Sequence, residues 1–128
     1  MAGPIVFISR NRIKEGRLED LREFLRTGTE ALEKDKPRTL AFLAFADAAG
    51  TEVTIVHVFA DAEAMDLHVQ GADERSSAAY EFIEPEGFEI DGSASPAVLE
   101  MMEGAAAAGP ELVVRSQFLS GFLRLDSG

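Results

Sequence analysis

The chain has 128 residues, enough for one hydrophobic core and too few for two domains of ordinary size. Twelve Lys and Arg against 23 Asp and Glu give a net charge of −11, which disfavours nucleic acid and anionic membranes as partners. No cysteine is present, which excludes disulfides, thiolate metal sites and a Cys nucleophile.

The first residues do not resemble a secretory signal peptide. They lack a basic region, and the apolar run from Ile5 to Ile8 is followed directly by Ser9 and Arg10. No stretch approaches the roughly 18 consecutive apolar residues of a membrane-spanning helix. The sequence therefore predicts a cytoplasmic protein without a membrane partner.

The first half of the chain alternates strand and helix patterns. Residues 5–13 favour a strand, and from Arg17 the apolar residues recur with helix spacing until Pro37 ends the run. Two further β-prone segments follow at residues 40–47 and 51–59. A short loop with a glycine joins them, which predicts an antiparallel hairpin.

The next segment favours a second helix and a fourth strand. Asp61 is a candidate N-cap, because its carboxylate can accept hydrogen bonds from free backbone N–H groups. We expect the helix to break near Gly71, to resume over residues 72–82 and to end before Pro85. Residues 88–92 then favour a short strand.

The order β-α-β-β-α-β over residues 5–92 predicts an α+β domain of the ferredoxin-like type with an antiparallel sheet. We expect residues 1–92 to form the core of the domain and residues 93–128 to extend it. Within that extension, residues 95–108 favour a helix and residues 111–125 a strand-like segment. Helices on one side would leave the other sheet face uncovered, so either this extension or a second subunit must cover it. We expect a homodimer.

Few side chains in this sequence could carry out chemistry. His57 lies in the third strand and shares its face with apolar residues, which fits either a hydrogen-bonded core histidine or a functional one. His68 lies in the second helix, where a partly exposed position is the plain alternative. Asn11, near the end of the first strand, fits a pocket mouth or a strand leaving the core. The two histidines lack metal-ligand spacing, so no metal site is predicted.

One segment, residues 54–68, resembles the antibiotic biosynthesis monooxygenase (ABM) domain family. His57 stands where that family usually has Glu, Phe59 where it usually has Trp, and His68 where it has His. The strand ending at residues 12–16, which leads into an amphipathic helix, also looks like the opening of the family. The resemblance covers residues 5 to about 92.

The resemblance implies a dimeric α+β barrel, with a pocket between the sheet and the helices of each subunit. It also implies oxidation of a small aromatic or quinol-type compound by O2 without any cofactor. His57 or His68 would then be the catalytic base, and Asn11, Phe59 and Tyr80 would bind the substrate. Phe59 lacks the indole N–H donor of Trp, and a histidine ordinarily titrates near neutrality, whereas Glu does not. The alternative is a non-catalytic dimer that binds a small apolar ligand or serves as an accessory protein.

Overall fold

The computed structural model of the chain describes residues 3–124. Helices and strands follow each other as β1 Ile5–Ile13, α1 Leu18–Asp35, β2 Thr39–Ala46, β3 Glu52–Phe59, α2 Ala62–Val69, α3 Ala72–Ala79, β4 Ile83–Asp91, α4 Pro96–Ala106 and β5 Glu111–Arg115. The strands form a sheet in the order β2-β3-β1-β4-β5. The first three pairings are antiparallel and β5 pairs parallel to β4. The predicted α+β ferredoxin-like order is confirmed, and the added β5 makes the sheet mixed.

The fourth strand is longer than predicted, because a β-bulge accommodates residues that we expected to end the helix. The register pairs Arg10 with Gly87 and Asn11 with Pro85, so Glu86 has no partner on β1. A proline cannot donate to the ladder and is tolerated beside such a bulge. The helix correspondingly ends at residue 79, and Phe82 accepts a backbone hydrogen bond of 2.9 Å from Lys14, at the end of β1.

The strand-like segment predicted for residues 111–125 was correct only for residues 111–115. Pairing with β4 ends at Asp91 and Arg115, and the chain then leaves the sheet edge. A last contact joins Ser93 Oγ to the carbonyl oxygen of Ser116 at 2.8 Å. Residues 116–124 form no strand, and Leu125 lies outside the described residues.

The helix boundaries follow from local capping. Asp61 is the N-cap of α2, as predicted, and its carboxylate accepts from the Ala64 N–H at 2.9 Å. Gly71 separates α2 from α3 with a φ of +81°, a conformation that side chains with a Cβ rarely adopt. Ser95 caps α4 through the Val98 N–H at 3.2 Å.

The helices pack on one face of the sheet and form two apolar clusters. The first joins α2 and α4 to the strands through Ile5, Phe59, Ala64, Met65, Phe88, Ile90, Val98 and Met102. The second joins α1 to the strands through Ile13, Leu21, Val53, Ile55 and Ile83. On β1 the buried polar residues Ser9 and Asn11 lie between these two clusters. Between residues 3 and 124, no helix combines the length and the apolar character that crossing a membrane requires.

Candidate functional site

A cavity of about 980 Å³ lies between the sheet and the helices. Its walls are mostly apolar, and they include the buried polar residues Ser9, Asn11, His57 and His68. Arg75 and other polar and charged residues of α1 and α3 also line the cavity. This volume is within the range of about 300 to 1,000 Å³ that small-molecule sites occupy. The cavity is therefore the candidate functional site.

His57 lies on the face of β3 that the helices cover and is 7% exposed. Its Nδ1 is 3.1 Å from the carbonyl oxygen of Phe7 on β1. The ring packs against Phe7 and Phe42, with both centroid distances at 5.0 Å, and it lies 6.2 Å from the ring of Phe59. Aromatic rings on three strands thus hold the imidazole in place.

His68 approaches His57 from α2 and is 5% exposed, so the alternative of a partly exposed helical side chain is wrong. The two imidazole rings are 5.3 Å apart between centroids and nearly perpendicular. His68 Nδ1 is 2.7 Å from Thr39 Oγ1, and its ring also packs on Phe59 at 5.1 Å. Two buried histidines therefore share one end of the cavity.

The hydrogen bonds fix one tautomer and leave both Nε2 atoms available. A carbonyl oxygen can only accept, so His57 Nδ1 carries the proton and Nε2 keeps a lone pair. The hydrogen bonds of residues 3–124 use only Nδ1 of either histidine. No fully buried side-chain nitrogen or oxygen in this range lacks a partner, so each Nε2 keeps some accessible surface, and both histidines line the cavity.

Both histidines are neutral at neutral pH. Burial lowers the pKa of His57 to about 4; its hydrogen bond to Phe7 opposes this shift and the charge of Arg75 adds to it. Burial is also the main reason that the pKa of His68 falls to about 3, with further contributions from His57, Arg75 and Lys36. Each neutral imidazole can accept a proton, and the surrounding positive charge opposes that protonation.

The other predicted site residues occupy three different positions. Asn11 is 3% exposed and lines the cavity, where its Nδ2 lies 3.4 Å from Ser9 Oγ. Phe59 is completely buried and supports both histidine rings. Tyr80 lies at the cavity rim and is 39% exposed. Asn11 thus lines the cavity beside the histidines, whereas Phe59 packs behind their rings and has no accessible surface on which a substrate could stack.

Two residues that the sequence analysis did not select also shape this site. Thr39, at the start of β2, hydrogen bonds to His68 across 29 positions of sequence. Arg75, in α3, donates from Nη2 to the carbonyl oxygen of His68 at 2.6 Å. No local sequence motif marks either residue, because each reaches the site only when β2 or α3 packs against α2.

Comparisons with solved structures identify the fold. MupZ from Pseudomonas fluorescens matches with a TM-score of 0.70 and 20% identity, over 94% of this chain and 91% of that one. SnoaB from Streptomyces nogalater, a cofactor-independent oxygenase, matches with a TM-score of 0.59 and 13% identity, over 73% of this chain and 96% of that one.

A protein from Bacteroides thetaiotaomicron whose name refers to antibiotic biosynthesis monooxygenase matches with a TM-score of 0.56 and 23% identity, over 69% of this chain and 85% of that one. No protein-family model matches the sequence, and no curated protein matches it. The solved structures confirm the predicted resemblance at the level of the fold: this chain has the α+β fold of antibiotic biosynthesis monooxygenase domain proteins.

Proposed function

We propose that this protein is a cofactor-independent monooxygenase that deprotonates a small aromatic or quinol-type compound and lets the resulting anion react with O2. The observation that carries the proposal is the pair of buried, neutral histidines at one end of a mostly apolar cavity. SnoaB, which shares the fold, is a cofactor-independent oxygenase. That match supports the reaction class and leaves the substrate to experiment.

His57 is the better placed base of the two. The carbonyl oxygen of Phe7 fixes its tautomer, so Nε2 carries the lone pair and is the nitrogen that can accept a proton from a substrate. Its low pKa makes the free imidazole a weak base. A substrate anion formed beside Nε2 would stabilise the imidazolium and so offset the effect of burial.

The remaining cavity residues position the substrate. Asn11 would hold the substrate oxygen, because its side-chain oxygen and nitrogen can accept or donate. Phe59 supports the histidines from behind, whereas the half-buried rings of Phe7 and Phe42 offer surface for stacking. Tyr80 would contact the outer part of the substrate at the rim.

Anthrone illustrates a balanced reaction of this kind. His57 takes a proton from the ring CH2 group, and the carbanion transfers one electron to O2. The two radicals combine to a peroxide, which takes up the proton and then loses water. One oxygen atom ends in the new C=O group and the other in water, so no external reductant is needed.

The proposal is tested by incubating the purified protein with anthrone under ¹⁸O2. We expect consumption of one O2 for each anthrone and one ¹⁸O atom in the quinone, at a rate above that of the buffer alone. Rates equal to the buffer rate with a panel of anthrones and quinols would contradict the proposal.

A second candidate function is non-catalytic binding of a small apolar ligand. The low pKa values of His57 and His68 favour it, because they make both side chains poor bases. Native mass spectrometry distinguishes the two functions. A retained ligand without O2 consumption supports binding alone.

We further propose that the protein is a homodimer that packs through the open sheet face, with residues 93–128 as an extension of a core formed by residues 1–92. On this face Leu43 is 48% and Phe45 is 60% exposed, and Val56 lies between them and β1. Residues 93–124 leave these side chains uncovered.

Sedimentation equilibrium should give a dimer for the wild type and a monomer for Val56→Lys. A wild type that is monomeric at all concentrations would contradict the proposal.

A further inference from the structure

Arg75 differs from most arginines of this chain in having no carboxylate partner. Seven of the nine arginines form ion pairs, namely Arg10, Arg12, Arg17, Arg22, Arg26, Arg38 and Arg115. Arg124 lies over the ring of Phe122. Within residues 3–124 Arg75 forms no ion pair, although Asp and Glu outnumber Lys and Arg by 23 to 12.

The contacts of Arg75 explain its position, but they use only part of its hydrogen-bonding capacity. Nη2 donates to the His68 carbonyl at 2.6 Å and Nη1 to the Gln70 carbonyl at 3.0 Å, at the C-terminal end of α2. Lys36 donates to the Leu67 and Gln70 carbonyls from the other side. Two cations at a helix C-terminus are favourable on their own. A guanidinium has five N–H groups, however, so donors remain.

The guanidinium is held beside the histidines. Arg75 lines the cavity, and its charge contributes to the lowered pKa of both His57 and His68. The guanidinium packs closely against the backbone of Gly71, where a Cβ atom would lie 3.3 Å from Arg75 Nη1. The two bonds to backbone carbonyls therefore fix the guanidinium before any ligand arrives.

The charge of Arg75 is not cancelled by the acidic residues of the same cavity. Asp35, Asp73 and Glu74 also line it, but none of them forms an ion pair with Arg75 or Lys36 in the described part of the chain. Arg75 therefore presents a partly buried cation near the histidines that no carboxylate of the described residues neutralises by direct contact.

We propose that the compound bound in this cavity is an aromatic acid, whose carboxylate is held by the free N–H groups of Arg75. The inference rests on the proposed function, since it names the substrate class of the same site. A carboxylate accepts two parallel hydrogen bonds from one guanidinium, which fixes orientation as well as position. The aromatic part of the compound would then lie toward His57 and Phe7.

The test compares two ligands of nearly equal size, 2-naphthoate and 2-naphthalenemethanol. Their own fluorescence reports binding, and the chain has no tryptophan to interfere. We expect the wild type to bind the carboxylate at least about tenfold more tightly, since hydrogen bonds to a charged group are worth roughly that factor or more.

Arg75→Gln should abolish this preference, measured as the ratio of the two affinities, whatever its effect on the affinity for the alcohol. Arg22→Gln is the matched control, because it removes the same charge from an exposed position on α1. It should keep the preference. Arg75→Lys should retain part of it, because lysine keeps the charge and loses the planar fork.

Equal affinities of the wild type for the two ligands would overturn the inference, whether or not any variant folds. A preference that survives in folded Arg75→Gln would also overturn it. Binding is measured without O2, so the two proposals can fail separately. A carboxylate preference without oxygenation of aromatic acids and quinols contradicts only the proposed function, and oxygenation without the preference contradicts only this inference.

Discussion

Replacing His57 by Gln is expected to lower kcat/KM for anthrone by about two to four orders of magnitude, the usual contribution of a positioned general base. Gln is uncharged and similar in size to His, but it presents no basic nitrogen to the cavity. The loss should appear mainly in kcat, because proton removal belongs to the transition state rather than to ground-state binding. Oxygen-electrode kinetics measure it.

His68→Gln should give a smaller loss, because His68 contacts the ring of His57 without sharing its hydrogen bond to β1. Glu63→Gln provides the control, since Glu63 is an exposed residue of the same helix α2. It should leave the rate unchanged. If both histidine variants turn over anthrone as fast as the wild type, neither histidine is the base.

Acid is expected to destabilise this protein already between pH 7 and pH 5. The folded pKa values of His57 and His68, about 4 and about 3, lie below the usual value of 6.5. In this window the unfolded chain therefore binds more protons than the folded one, so the free energy of unfolding falls as the pH falls. The decrease is roughly 2 kcal/mol for each histidine, and it levels off below the folded pKa values.

Urea unfolding at a series of pH values measures this decrease. The chain contains only two histidines, so a variant with both replaced by Gln lacks the one side-chain type whose ordinary pKa lies near 6.5. Its stability should be nearly independent of pH in the same window, whatever its absolute value. A wild type with equally flat stability would show that the histidines are not buried in neutral form.

The element order was predictable because it depends on local periodicity. The helix spacing from Arg17 and the N-cap at Asp61 are both visible in the sequence, and both are confirmed. The start of β4 was missed, because Pro85 normally ends an element and only the pairing with Asn11 beside a bulge accommodates it. The end of β5 was missed because β5 stops where the neighbouring strand β4 stops, at Asp91, and this pairing depends on the tertiary structure.

The site was predictable only in part, for the same reason. Strand alternation placed His57 on a buried face, and the resemblance drew attention to His68. The contact between their rings depends on how α2 packs against β3. Thr39 and Arg75 reach His68 from β2 and α3, and no local pattern marks either of them.

The central claim is that His57 and His68 are buried, neutral and directed into a ligand-binding cavity. The most direct test is ¹⁵N NMR of the histidine rings, assigned with the two single Gln variants and followed from pH 8 to pH 4. We predict both pKa values below 5, a proton on Nδ1 of His57, and a shift of its Nε2 signal when 2-naphthoate binds. Titration of both rings near 6.5, with no response to the ligand, would contradict the account.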